Sequence, residues 1–254
     1  MKFLIYIIIY LSMFSKCFAI ETVTTEITAD DGIEVFQEEK YYLLKKNVKI
    51  VSENFNLTGE LVKIFFDNDL YDITKIDAIG DVNLKSKEYG IETQSNEFVF
   101  IVIDEEIILK GNDSKLLTDD IEMFSNGLIK LNNITGKFKL DGENSKLKNK
   151  EISISSDLIL GKFTSNNETK DIEYLETENK DIGFIKTSDT ELISKTAIYR
   201  KKDSIIELFE NVRIKRGNET IEGDYGELDT KNSSYKIKSN NDNKVKIIIT
   251  NKDE

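Results

Sequence analysis

The chain has 254 residues, with 35 Lys and Arg against 47 Asp and Glu, no histidine, no proline, no tryptophan and one cysteine. Without His, and with its single Cys at position 17, it lacks the side chains for a Ser-His-Asp or Cys-His site, a zinc finger, an iron–sulfur cluster or a haem ligand set. A net charge of −12 argues against nucleic acid, whose affinity comes largely from Lys and Arg on phosphates, and an apolar share of 39% is too high for full disorder.

The N-terminus reads as an address label. Met1-Lys2 supplies a positive start, residues 3–14 read FLIYIIIYLSMF, and Ser15-Lys16-Cys17-Phe18-Ala19 ends on a small residue. A bilayer-spanning helix wants roughly 20 apolar residues, and Lys16 interrupts this run too early. The expectation is a signal peptide over 1–19, cleaved after Ala19, with an uncleaved N-terminal anchor as the alternative. The mature chain, 20–254, would then be exported without a cysteine, held by its core and backbone ladders alone.

Beyond the label, period-two alternation predicts strands almost throughout. Tyr42, Leu44, Val48 and Ile50 share one side of the first, with Lys45, Asn47 and Lys49 on the other. The same texture recurs over 56–66, 72–85, 97–110, 130–140, 151–163, 204–215, 220–228, 235–238 and 244–250. Turn-forming clusters lie between them at 67–69, 111–113, 141–144, 165–167 and 239–243. Short strands, Asn/Asp/Gly turns and hardly any 3.6-residue stripe longer than three turns indicate an all-β protein. The absence of proline suits uninterrupted ladders, since each proline would remove a donor.

The sequence also resembles itself. Asn47-Val48-Lys49-Ile50, with Gly59-Glu60 following, matches Asn211-Val212-Arg213-Ile214, with Gly223-Asp224 following, at an offset of 164 positions without a gap. Weaker echoes stand at Gly80-Asp81-Val82-Asn83-Leu84 and around Gly111-Asn112.

These residues resemble the LptA/OstA-like family of periplasmic lipopolysaccharide-transport proteins. The resemblance is carried by Ala197-x-Tyr199, the strand Ile206 to Ile214 with its Asn-Val, Ile221-x-Gly223-Asp224, and Lys244-Val245-x-Ile247. In the first half it is carried by Asp31-Gly32-Ile33-Glu34-Val35, Asn47-Val48, Gly59-Glu60-Leu61-Val62 and Ile79-Gly80-Asp81-Val82. Two departures stand out. Lys46 and Glu210 occupy the position where the family has the glycine of Gly-Asn-Val, and about a hundred residues separate the halves, where the family has a short join.

The resemblance implies an elongated, partly open antiparallel β-jelly-roll, a V-shaped stack of sheets. Its halves would be about 31–84 and 191–250, with a strand-rich insertion at about 85–190 that lengthens the stack. It implies a non-enzymatic periplasmic carrier that holds lipopolysaccharide by its lipid A acyl chains and passes it between inner- and outer-membrane complexes. The groove would be lined by Tyr42, Leu44, Val48, Ile50, Leu57, Ile64, Ile206, Leu208, Val212, Ile214 and Ile221. Taken singly, each of these is better read as filling a closed sandwich core, because core packing needs the same alternation; as a group they could line a groove if the sheets splay. Edge strands bearing Ile33 and Val35 at one end, and Val245, Ile247 and Ile249 at the other, would pair with LptC-like and LptD-like β-jelly-rolls or with further copies of the chain. Burial of the last strand within the chain itself is the competing reading.

Two alternatives stay open: a membrane-anchored LptC-like partner of the same pathway, and a structural or adhesive β-repeat surface protein. No catalytic residue, metal ligand set or cofactor is expected. Acidic clusters such as Asp104-Glu105-Glu106 lack EF-hand spacing and read as solvated surface. Tyr199-Arg200-Lys201-Lys202 reads as a hairpin turn, although it could meet lipid phosphates. There is no Gly-x-x-x-x-Gly-Lys-Ser/Thr loop, so energy for transport would come from elsewhere.

Overall fold

Eighteen antiparallel strands form one continuous ladder in the computed structural model, which describes residues 24–69, 72–164, 171–240 and 243–250. The expected signal peptide at 1–19 lies outside the described residues. In chain order the strands are β1 (Glu26–Thr28), β2 (Ile33–Phe36), β3 (Tyr41–Val51), β4 (Phe55–Phe66), β5 (Ile73–Ser86), β6 (Ile91–Ile101), β7 (Glu106–Lys110), β8 (Ser114–Leu117) and β9 (Glu122–Ser125). They continue with β10 (Leu128–Asn132), β11 (Lys137–Lys148), β12 (Ser153–Phe163), β13 (Ile172–Lys186), β14 (Thr190–Arg200), β15 (Ile205–Arg216), β16 (Glu219–Asp229), β17 (Tyr235–Lys238) and β18 (Lys246–Ile249). The all-β, antiparallel expectation holds.

Most long strands turn a corner near their middle, and this folds the ladder lengthwise into two faces. On β3 and β4, Lys45 pairs Leu61 and Val48 pairs Gly59, so Lys46 and Asn47 together oppose Glu60 alone. That is a β-bulge, which bends the strand that carries the extra residue. The same two-against-one count recurs where Ile79 pairs Glu97 and Val82 pairs Ser95, and where Phe209 pairs Tyr225 and Val212 pairs Gly223. At each of these corners two successive residues adopt left-handed φ: Lys46 and Asn47 (68° and 47°), Gly80 and Asp81 (85° and 43°), Glu210 and Asn211 (59° and 56°). Asn and Asp tolerate that region best among residues with a Cβ, and glycine enters it without penalty. The Asn-Val repeat legible in the sequence is therefore a corner residue followed by the first inward side chain of the second face.

The inward side chains at the vertex form a row of small residues. Six register pairs define it, Val48–Gly59, Val82–Ser95, Ser114–Ser125, Ser145–Ser156, Gly183–Ser194 and Val212–Gly223. Larger residues flank this row on both faces. Leu44 pairs Val62, Leu109 pairs Ile129 and Leu140 pairs Ile159 on the first face. Ile50 pairs Leu57, Leu116 pairs Met123 and Leu147 pairs Ile154 on the second. All of these are buried, and they form a single core between the faces from one end of the stack to the other. Residues 85–190 contribute repeats of the same bent hairpin to it. Two of the buried serines satisfy each other, Ser125 and Ser145 lying 2.9 Å apart through their hydroxyls.

Several boundaries differ from the sequence expectations. The expected strands at 97–110 and 130–140 each run through a hairpin turn, at 102–105 and 133–136, because Val102, Ile103 and Ile134 sustain the apolar texture there. Glu105 and Gly136, with φ of 46° and 69°, make those reversals. Conversely, the turn signals at 111–113 and 141–144 mark corners rather than hairpins: β7 continues into β8 around Gly111, and β11 bends within itself near Asn144 (φ 58°). Strands β13 and β14 escaped the alternation reading because their outward faces are rich in Glu, Lys and Thr and their inward faces include Thr177, Asn179 and Ser194.

The corner geometry predicts opposite effects at one position. Glu210→Gly should leave stability unchanged or raise it by up to about 1 kcal/mol, and Glu210→Val should lower it by about 1–2 kcal/mol, since a β-branched residue resists left-handed φ. Chemical denaturation of the two variants checks this; equal effects would refute the left-handed corner.

Candidate functional site

A V-shaped cross-section has a closed vertex and an open side, where the hairpin turns of the two faces stand opposite each other. Among the described residues, the turns on the first face fall at 37–40, 67–69, 102–105, 133–136, 201–204 and 230–234, and on the second at 52–54, 87–90, 118–121, 149–152, 187–189 and 217–218. Aromatic pairs fill the mouth over the first four bent hairpins. Tyr42 meets Phe66 with ring centroids 5.4 Å apart, Tyr89 meets Phe100 at 5.6 Å, and Phe138 stacks on Phe163 at 4.4 Å. Phe138 lies over Gly161, where any Cβ would collide with its ring. Ile121, in the 118–121 turn of the second face, is also buried.

Past Phe163 no further ring pair fills the mouth among the described residues. Its register partner Ile172 opens a slot of about 740 Å³ between the turns of the two faces. The floor is apolar, made by Ile152, Ile172, Leu175, Tyr199 and Ile206, and the rim carries Lys148, Lys150, Glu151, Asp171, Lys186 and Lys201. That volume lies within the usual range for ligand sites. A smaller cavity of about 340 Å³ sits between the exposed side chains of Asn56, Asn83, Lys85, Glu92, Gln94 and Lys115 on the outward side of the second face, with no comparable apolar floor.

Local hydrogen bonds shape the slot. Asn149 Oδ1 accepts from the backbone N–H groups of Glu151 (2.9 Å) and Ile152 (2.8 Å), which sets the β11–β12 turn and brings Ile152 under the lip. The backbone N–H of Lys201 donates to the Glu173 carbonyl at 3.0 Å, and Thr230 ties to the Ser204 carbonyl through both its N–H (2.8 Å) and its hydroxyl (3.0 Å). Lys150 is paired with Asp120 at 2.7 Å and Lys201 with Asp171 at 2.8 Å, and those hydrogen bonds raise both ammonium pKa values, so both stay charged at neutral pH. Lys148 reaches Glu122 at 3.4 Å. Among the described residues, no carboxylate pairs with Lys186. Burial raises the phenol of Tyr199, which therefore remains a hydrogen-bond donor at the floor.

The sequence-predicted groove residues converge between the faces, but away from this slot. Leu44, Val48, Ile50, Leu57, Ile64, Leu208, Val212, Ile214 and Ile221 are buried against one another, and Tyr42 is half-buried in the mouth beside Phe66. Val48 and Val212 belong to the vertex row. Ile206 alone among them lines the slot. Sequence reasoning missed Ile152, Ile172 and Leu175, which belong to the segment read as an insertion. The signal available for them was the same alternation, hidden by the polar inward positions of β13.

The edge residues lie at the two ends of the stack. Ile33 faces Leu44 and Val35 faces Tyr42 on β3, and each is 47% exposed; Ile247 (57%) faces Ile221, and Ile249 (69%) faces Glu219 on β16. Val245 precedes β18 and is also exposed. Among the described residues, β1 and β2 pair only with β3, and β17 and β18 only with β16. The last inward side chains at both ends are thus left uncovered.

No protein-family model matches the chain, and no curated protein matches it. Among solved structures it is similar to LptH, described as the LptA-homologous periplasmic component of the conserved lipopolysaccharide transport device of Pseudomonas aeruginosa. That match has 9% identity, covers 90% of this chain and 96% of that one, and has a TM-score of 0.23. Overlap so low transfers no role to this chain. Among the described residues, no group of three or more His, Cys, Asp or Glu is placed to hold a metal ion, and no helix is long and apolar enough to cross a membrane.

Phe163 pairs in register with Ile172 of the slot floor, so Phe163→Ala should cost about 3–5 kcal/mol while extending the opening toward Phe138. Thermal unfolding should fall and uptake of an apolar dye by the folded protein should rise; unchanged uptake would show that the ring does not form the boundary.

Proposed function

We propose that this protein is an exported, non-enzymatic lipid carrier, with lipopolysaccharide or a related glycolipid as cargo, that works in the periplasm between membrane complexes. The observation that carries the reading is the slot on the open side of the two-faced stack, apolar at its floor and left unplugged by the described residues where the mouth elsewhere is filled by aromatic rings. The motif resemblance to LptA/OstA-like proteins supports the same reading. Each methylene moved from water onto such a floor contributes about 0.8 kcal/mol, so an acyl chain can be held without a specific polar contact.

The uncovered ends supply the second part of the proposal. A strand edge with exposed Ile and Val would invite aggregation unless a partner covers it. Pairing of the β18 edge of one molecule with the β1–β2 edge of the next would extend both faces and continue the mouth from copy to copy. Such a heterologous contact does not close on itself, so it builds rods, or junctions with related β-jelly-rolls anchored in the two membranes. A second reading has its own support. The inward side chains pack so fully on one another that the stack also suits a purely structural repeat at the cell surface.

Photo-crosslinking decides between the two. A benzophenone side chain at Tyr199 should capture labelled lipopolysaccharide, and one at the outward-facing Thr58 should not; no adduct from Tyr199 would favour the structural repeat. Deletion of residues 245–254 should shift light scattering toward monomer and lower the melting temperature by only a few degrees, because β18 adds four residues to one ladder. An unchanged size distribution would remove the joint.

A further inference from the structure

We propose that the rim of the slot selects for a negatively charged head, so that the lipid held there is an anionic amphiphile. Its chains would rest on Ile172, Leu175 and Ile206, and its phosphate would lie against Lys148, Lys186 and Lys201. The inference rests on the carrier reading above and adds to it a headgroup class and the residues that recognise it.

The argument is one of charge complementarity. The whole chain carries −12, yet the lining of the slot holds four lysines beside two carboxylates, Glu151 and Asp171, with Asp120 and Glu122 paired from outside it to Lys150 and Lys148. Lys186 has no carboxylate partner among the described residues. Lys148 and Lys201 are held only by solvent-exposed pairs, with Glu122 at 3.4 Å and Asp171 at 2.8 Å. Exposed pairs of this kind are weak, and an anionic lipid phosphate can exchange into them. Lysine suits such a site as a mobile point charge that follows a phosphate without demanding one geometry. The lysines come from both faces of the mouth, Lys148 and Lys186 from the second and Lys201 from the first, so a head seated between them would bridge the two lips. Tyr199 adds a protonated hydroxyl at the boundary between floor and rim.

Calorimetric titration of the full chain with two short-chain lipids below their micelle concentrations tests this, using dihexanoyl phosphatidylglycerol and dihexanoyl phosphatidylcholine, with inorganic phosphate as a third probe. The glycerol lipid should bind roughly tenfold or more tightly than the choline lipid at low salt, which is about what two lysine contacts supply. That preference should vanish in K186Q/K201Q and in about 1 M salt, where screening acts within a few ångströms. It should persist in K85Q/K115Q, which alters lysines on the outward side of the second face. Circular dichroism should show both double variants folded, since all four lysines are exposed. Equal binding of the two lipids would overturn headgroup selection and leave the carrier reading standing. Preference lost equally in both double variants would overturn the assignment to this rim. Displacement of lipid by inorganic phosphate at matched concentration would mark a free-anion site and likewise overturn it. Failure of both lipids to bind would overturn the rim proposal, and the Tyr199 crosslink then decides separately whether the carrier reading falls with it.

Discussion

Two sheets that share every long strand must meet at a vertex, and the space there admits only small side chains. This steric limit governs the molecule. Valine, glycine and serine occupy the vertex row in hairpin after hairpin, while leucine, isoleucine and phenylalanine stand one step out on either face. A leucine in the row would force the faces apart and expose the flanking residues, because close-packed interiors tolerate little added volume. The bend itself is made by extra residues on one strand of each pair, and Asn, Asp or Gly is favoured where those residues turn left-handed. Lys46 and Glu210 adopt the same conformation without being glycine, so a non-glycine there is a modest local cost and does not prevent the corner.

A closed vertex leaves an open opposite side and two open ends. Along most of the open side, aromatic pairs and buried aliphatic turn residues complete the core from within the chain. Over β13 to β15 the described residues do not, and the apolar floor reaches solvent between charged rims. The ends are open for a different reason: in a ladder that never closes, the last inward residues have a neighbour on one side only. Mouth and ends are where the apolar interior is accessible, and the proposed functions are assigned to them.

The outer surface is organised by cross-strand ion pairs such as Lys162–Glu173 and Arg213–Glu222, both at 2.8 Å. Exposed pairs of this type contribute at most about 1 kcal/mol each, so they select register and solubility more than they hold the fold. Stability rests on the continuous core and on ladders in which no proline deletes a donor. With a single cysteine, at position 17, the chain can form no internal disulfide.

How much was legible beforehand differs from element to element. Alternation at Tyr42, Leu44, Val48 and Ile50, and again at Ile206, Leu208, Val212 and Ile214, was enough to give an antiparallel all-β fold and to assign those residues to the inside. Asn47-Val48 and Asn211-Val212 were visible as a repeat, since a left-handed corner restricts residue type locally. The sequence could not separate a corner from a hairpin at Gly111 or Asn144, because both need the same turn-forming residues and differ only in where the chain goes next. Nor could it show that Val48 and Val212 lie in the vertex while Leu175 and Tyr199 lie at the mouth, because inward alternation is identical at every depth of the V. Depth is set by pairing with strands far away in the chain. Local chemistry therefore determined the strands, their inward sides and the bends, whereas the tertiary ladder alone decided which apolar residues are sealed and which remain open to a ligand.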